Sequence, residues 1–133
     1  MTPAEMSQKW HAVALSGDEA AIAGLLHDDA VFESPVVHTP QRGKPITLKY
    51  LASAGKVFGN GTFHYVGEWT APNSLILEFN AEIDGITIDG IDMITWDDAG
   101  LITNFKVMVR PLKAVNMLHQ KMGEMLSRMS SAA

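Results

Sequence analysis

From Ser74 onward, apolar residues recur at every second position, and this alternation divides the second half of the chain into strands. In Ser74–Ile83 the apolar set is Leu75, Leu77, Phe79, Ala81 and Ile83; beyond it come Ile86, Ile88, Ile94 and Trp96. A period of two marks a half-buried strand. Asp84-Gly85 separates the two runs. Asp-Gly between alternating runs predicts a two-residue hairpin turn, because both central positions need positive φ. Such a turn dictates the pairing: Ile83 with Ile86, Ala81 with Ile88, Phe79 with Gly90, Leu77 with Asp92, Leu75 with Ile94. Paired residues share a face, so Asp92 is the one charged group on an apolar face. A four-residue turn at Asp97–Gly100 leads into a strand that ends before Pro111. That turn adds Leu101, Thr103, Phe105, Val107 and Val109 to the same face and sets Asp92 opposite Phe105.

The first half of the chain reads with a helical period. Thr2-Pro3-Ala4-Glu5 has the form of a capping box with proline at the first helical position, and Met6, Trp10 and Val13 follow on one face. Gly17 ends this helix and Asp18 caps a short second one, with Ile22, Leu25 and Leu26 as its apolar side. Ala30–Ser34 reads as a short strand stopped by Pro35, and residues 35–43 as a loop holding His38, Pro40 and Arg42. Pro45 opens a third helix, with Thr47, Tyr50, Leu51, Ala54, Val57 and Phe58 as its buried stripe, and Asn60-Gly61 breaks it. The strand Thr62–Thr70 has two possible facings. A three-residue turn at Ala71-Pro72-Asn73 puts Phe63, Tyr65 and Trp69 on the apolar face; a two-residue turn puts His64, Val66 and Glu68 there. The aromatic set matches its partners better. After Pro111 the chain is helical to about Met129, with Val115, Leu118, Met122, Met125 and Met129 as its stripe.

Helix, helix, strand, helix, four antiparallel strands and a helix make an α+β fold in a single domain over 1–133. A strongly curved antiparallel sheet wrapped around the helices leaves a blind, conical, apolar pocket that contains Asp92.

Composition narrows the functions. The net charge is −5 with no basic run, which argues against a nucleic-acid or anionic-membrane surface. There is no cysteine, so disulfides, thiolate metal sites and a cysteine nucleophile are excluded. Glu5 and Lys9 interrupt the apolar stretch that a secretion signal needs, and no apolar run is long enough for a membrane span; a cytoplasmic location is expected. The five histidines, 11, 27, 38, 64 and 119, include no pair with helical zinc spacing, so no metal and no cofactor is expected. An apolar site disfavours an ionised carboxyl, so Asp92 should titrate high and could donate to an oxyanion or act as a general acid. Ser34 has no base beside it. His38, near the presumed mouth, and His64, if its strand faces inward, are the histidines most able to reach a ligand.

The chain resembles the nuclear transport factor 2-like superfamily, in particular its SnoaL-like and ketosteroid-isomerase-like branch. The residues that carry the resemblance are Leu15-Ser16-Gly17-Asp18, the run Asp28-Asp29-Ala30-Val31-Phe32-Glu33-Ser34-Pro35, Arg42-Gly43, Gly90-Ile91-Asp92, Trp96-Asp97 and Gly100-Leu101-Ile102. In the isomerase a base precedes the proline of the first strand, and here Ser34 stands there. A tyrosine lies on the first helix, and here Trp10 stands there. A protonated acid sits in an Ile-Asp pair, and here it is Asp92. Asp92 is thus the candidate catalytic residue; the hairpin register gathers Trp10, Leu77, Phe79, Trp96 and Phe105 around it, and Ser34, Tyr50 and Tyr65 complete the expected ligand site. With one of three groups kept, the chain is not expected to isomerise ketosteroids.

Two functions fit. One is an isomerase, cyclase or dehydratase acting on a small apolar carbonyl compound, with Asp92 as acid or oxyanion donor. The other is a non-catalytic binding domain for a small hydrophobic ligand. The outer sheet face, with Ile76, Glu78, Asn80, Thr87, Ile91, Met93, Thr95, Asn104, Lys106 and Met108, is too apolar for a free surface and predicts a homodimer.

Overall fold

The computed structural model describes residues 1–131. Its elements are α1 (Pro3–Val13), α2 (Glu19–Ala23), β1 (Leu26–Glu33), β2 (Gln41–Arg42), α3 (Lys44–Val57), β3 (His64–Ala71), β4 (Ser74–Ile83), β5 (Ile86–Trp96), β6 (Ile102–Arg110) and α4 (Leu112–Ser131). One curved, mixed sheet runs in the order β2-β1-β6-β5-β4-β3. The fold is α+β, as the element order implies, but the sheet is mixed rather than antiparallel throughout, because β1 runs parallel to β6.

The Asp84-Gly85 turn produces the expected register residue for residue, from Ile83↔Ile86 through Phe79↔Gly90 and Leu77↔Asp92 to Leu75↔Ile94. Asp84 and Gly85 both take positive φ, 52° and 76°. The next hairpin differs in register. Ile94 pairs with Phe105, Asp92 with Val107 and Gly90 with Val109, and the register slips between Thr95 and Trp96. Asp92 therefore lies opposite Val107 rather than Phe105. Phe105, Val107 and Val109 keep the inner face, but the slip takes it from Leu101 and Thr103 and gives it to Ile102, which pairs with Trp96 and is fully buried.

Three further elements depart from the expectation. Within the loop expected at 35–43, Gln41 and Arg42 form the short strand β2, paired antiparallel with Phe32 and Val31. β1 starts at Leu26, a residue assigned above to the second helix, because Leu26 pairs with Ile102 of β6 in parallel. The polar run His27-Asp28-Asp29 lies where the register shifts between Leu26 and Val31, and it hides the strand's period. β3 satisfies neither facing throughout. Tyr65 pairs with Phe79, the register then shifts, and Glu68 pairs with Leu77. Tyr65 accordingly faces inward, as the aromatic set required. Past the shift the faces exchange, so Trp69 lies on the outside, 56% exposed, with its ring against Gly67. Glu68 takes the inner side and receives a hydrogen bond from the Ser7 hydroxyl at 2.6 Å.

α1 begins with the predicted capping box, Thr2 and Glu5 each accepting from the other's backbone. It packs Met6 and Trp10 into a cluster with Leu26, Leu75, Leu77, Ile94, Trp96, Ile102 and Phe105. A second cluster joins Ala114 and Leu118 of α4 to Phe58, Phe79, Ala81, Ile83 and Ile88. Asp92 lies on β5 between Ile88 of the second cluster and Ile94 of the first. Thr47 ties α3 to β1 by donating to the Ala30 carbonyl at 3.0 Å in the buried interior.

Gly90 sits in the centre of β5 because the Phe79 ring lies over it. A Cβ there would overlap the ring and come within 2.9 Å of the Met108 carbonyl oxygen. Gly90→Ala is expected to destabilise the fold by about 1–3 kcal/mol, the usual range for overpacking. Urea denaturation checks this; an unchanged midpoint would show that the ring moves aside freely.

Candidate functional site

Between the two clusters lies a cavity of about 220 Å³. Its wall is aromatic and aliphatic: Phe32, Phe58, Phe63, Phe79, Phe105, Val107 and Leu118 among others, with Trp10, Tyr65, Asp92, Ser34, Tyr50 and His119 as the side chains able to hydrogen-bond. β5 brings Asp92 into it by register, β3 brings Tyr65 because its faces exchange only beyond that residue, and α1 brings Trp10 on the turn after Met6.

These three form a hydrogen-bonded chain. The Trp10 indole N–H donates to the Tyr65 hydroxyl oxygen at 2.9 Å. The Tyr65 hydroxyl in turn donates to Asp92 Oδ2 at 2.8 Å. Asp92 is 7% exposed. Burial pushes its pKa from 3.8 up to about 7, although the bond from Tyr65, and after it the Trp10 indole, pull the other way. Desolvation wins because one direct donor with a second behind it does not replace the water shell of a carboxylate. The Tyr65 hydroxyl is also pushed upward, first by burial and then by the Asp92 charge beside it, so it remains a donor across the ordinary pH range.

Ser34 also lines the cavity. Phe32 pairs with Phe105 and Glu33 with Lys106, so one step on Ser34 is level with Val107, whose other neighbour is Asp92. Strands lie about 4.8 Å apart, which separates the backbones of Ser34 and Asp92 by about 10 Å. They cannot bond directly. The Ser34 oxygen accepts from the Val36 N–H at 3.1 Å, which fixes the side chain at the strand end. Tyr50 stacks on Phe32 with ring centroids 5.0 Å apart.

Of the residues expected to line the site, Trp10, Ser34, Tyr50, Tyr65, Phe79, Phe105 and Asp92 do so. Leu77 and Trp96 do not; they are buried in the cluster under α1, because Met6 and Trp10 cover that end of the sheet. His64 is exposed and turned to the Thr62 carbonyl. His38 does not line the cavity itself but an adjoining surface groove with Glu33, Pro40 and Lys106, which shares Ser34, Pro35, Val37, Val107 and Val109 with the cavity wall. The histidine in the cavity is His119, which the sequence reading passed over. Its signal was present: Val115, Leu118, His119 and Met122 fall at i, i+3, i+4 and i+7, one helical stripe. Among the described residues no three His, Asp or Glu side chains gather as a metal site, and no helix is long and apolar enough to cross a membrane.

The SnoaL-like domain model matches residues 7–105. The chain belongs to this SnoaL-like family, within the nuclear transport factor 2-like fold. Its structure is similar to that of a steroid delta-isomerase from Pseudomonas aeruginosa, at 35% identity and a TM-score of 0.82, covering 98% of this chain and 92% of that one. It is also similar to an uncharacterised protein with a cystatin-like fold from Silicibacter pomeroyi DSS-3, at 29% identity and a TM-score of 0.82, over 90% and 83% of the two chains. The epoxide hydrolase/cyclase-like enzyme SalBIII of salinomycin pyran-ring formation shares the fold at 17% identity and a TM-score of 0.66, over 83% and 92%. No curated protein matches the chain in sequence.

The buried acid makes a prediction about stability. A carboxyl whose folded pKa lies above its unfolded value binds a proton more tightly when folded. Its contribution is present at low pH and is lost as pH rises from about 4 to about 7. At 1.36 kcal/mol per unit, the loss is at most about 4 kcal/mol. Asp92→Asn keeps the acceptor for Tyr65 and never ionises. Its stability relative to wild type is expected to rise with pH across that interval and level off above it. Denaturation at a series of pH values checks this; a constant difference would mean that Asp92 titrates normally.

Proposed function

We propose that this protein binds a small, largely apolar carbonyl compound in the cavity and acts on it as an isomerase, cyclase or dehydratase. Asp92 serves as the acid or oxyanion donor. The observation that carries this reading is the Trp10–Tyr65–Asp92 chain ending at the cavity wall. Oδ2 is occupied as an acceptor, so a proton on the carboxyl resides on Oδ1. A neutral acid held in an apolar wall donates to a developing oxyanion without first shedding water, the arrangement in which such donors are most effective. The steroid delta-isomerase among the similar structures supports carbonyl chemistry in a pocket of this kind.

The same reading excludes efficient ketosteroid isomerisation. The position matching the isomerase base is Ser34, whose hydroxyl is too weak to remove a carbon-bound proton. Trp10 supports Tyr65 instead of addressing the ligand. A second reading, a non-catalytic binding domain for a small hydrophobic ligand, draws on the almost wholly apolar wall.

The probe is 2-naphthol, a small aromatic whose oxygen mimics an enolate. Fluorescence titration is expected to show binding that weakens about 10- to 100-fold in Asp92→Leu, the worth of one hydrogen bond to a charged group. The wild type is expected to leave a β,γ-unsaturated steroid ketone unconverted in an absorbance assay. Naphthol binding that ignores Asp92, or steroid turnover that requires it, would overturn the assignment.

We also propose a homodimer through the outer sheet face. Trp69 and Met108, 56% and 49% exposed, stand there beside the half-buried Ile76, Ile91 and Met93. Sedimentation is expected to give a dimer at micromolar concentration and a monomer for Met93→Arg combined with Met108→Glu. An unaffected dimer in that variant would place the interface elsewhere.

A further inference from the structure

Acid catalysis at a carbonyl oxygen is half of an enolisation; the other half is a base for the neighbouring C–H. Ser34 cannot supply it, and Tyr65 is committed to Asp92. Tyr50 is a phenol stacked on Phe32, a donor at neutral pH. The remaining polar side chain on the wall is His119 of α4. It is exposed as well as cavity-lining, so this residue borders both the cavity and solvent. Histidine is the side chain suited to accept a proton near neutral pH. Leu118 on one side, and Met122 and Gly123 a turn on, line the same wall, so the stripe that carries the imidazole is otherwise apolar.

We infer that His119 is the general base of this site, working with Asp92 on a small cyclic ketone that has an enolisable C–H beside its carbonyl. The inference rests on the reading of Asp92 as the donor at the carbonyl oxygen. Size supports the substrate class. Pockets for drug-sized ligands run about 300–1,000 Å³, and this one is about 220 Å³. A molecule of one or two rings suits a cavity of that size, whose wall includes both Asp92 and His119.

The step balances as follows. The neutral imidazole takes the α-proton, the C–H electrons form the new C=C bond, and the carbonyl π electrons move to oxygen. The Asp92 O–H donates to that oxygen. The product is an enol with an imidazolium beside it and Asp92 left as a carboxylate, which regains its proton when the enol reverts; nothing is oxidised or reduced. Because His119 is exposed, its imidazolium exchanges the captured proton with water before returning one to carbon. The site therefore favours reactions in which the α-proton is lost to solvent, such as isotope exchange, dehydration or ring closure. It does not favour an internal shift of one proton between two carbons. That outcome agrees with an isomerase-like pocket that retains the acid without a base at Ser34.

The test uses the full-length protein with 1-indanone in D₂O, following loss of the α-CH₂ proton signal by NMR. Wild type is expected to accelerate exchange over buffer. His119→Gln should slow it by about 10²–10⁴-fold, the usual loss for a general base, while still binding 2-naphthol. His119→Ala should regain exchange when imidazole is added, which a purely structural role would not produce. Exchange in His119→Gln equal to wild type would overturn the inference, as would wild-type naphthol binding through Asp92 with no exchange at all. In both cases the reading of Asp92 would stand. Loss of Asp92-dependent naphthol binding in the wild type would instead remove the reading on which the inference rests.

Discussion

The two-residue turn at Asp84-Gly85 is the constraint on which the rest depends. Side chains alternate across a strand, so a slip of one residue exchanges its two faces entirely. In the observed register Asp92 points inward, and Ile91 and Met93 point outward. In the slipped register Ile91 and Met93 would enter the core and Asp92 would face solvent, an ordinary surface acid. The turn conformation, with positive φ at both Asp84 and Gly85, thus determines whether the cavity wall holds a carboxyl. The Phe79 ring over Gly90 is a second lock on the same register, because only a glycine at that position leaves room for it.

The cavity exists because the apolar interior is built as two clusters, one gathered under α1 and one under α4. Tyr65 and Val107 belong to both. The seam between them is where a polar group can be buried without breaking either. Asp92 occupies it at a desolvation cost that Tyr65 and Trp10 partly offset. The burial that raises its pKa therefore also lowers the stability of the fold at neutral pH.

Much of this was legible in the sequence. The β4–β5 pairing followed from a turn dipeptide and an alternating pattern, and it identified Asp92 without any further information. The α1 capping box and the stripes of the helices followed from local rules of the same kind. What escaped was set by irregularity. The register shift after Tyr65 turned Trp69 outward and Glu68 inward. The shift before Trp96 replaced Leu101 and Thr103 by Ile102. One inserted residue exchanges faces, and period-two reasoning cannot locate it. β1 escaped because its first half is polar and its partner, β6, is distant in sequence. Leu77 and Trp96 share a face with Asp92, yet the sequence could not say which end of that face α1 would cover. His119 was legible in principle as a member of the α4 stripe and was eclipsed by the methionines around it.

The direction of the Trp10–Tyr65–Asp92 chain has a consequence for how the acid exchanges its proton. An indole N–H donates and has no lone pair to accept with. Tyr65 receives from Trp10 and gives to Asp92, so its hydrogen is already committed. A proton leaving Asp92 by that route would have to be taken up by tryptophan, which is impossible. The chain is a dead end for proton conduction, a support rather than a wire. Every proton that Asp92 gains or loses must pass through the cavity, on water or on the ligand. A ligand that seals the mouth therefore also seals the protonation state of the acid, which stays as it was when the ligand entered until the ligand itself reacts or leaves.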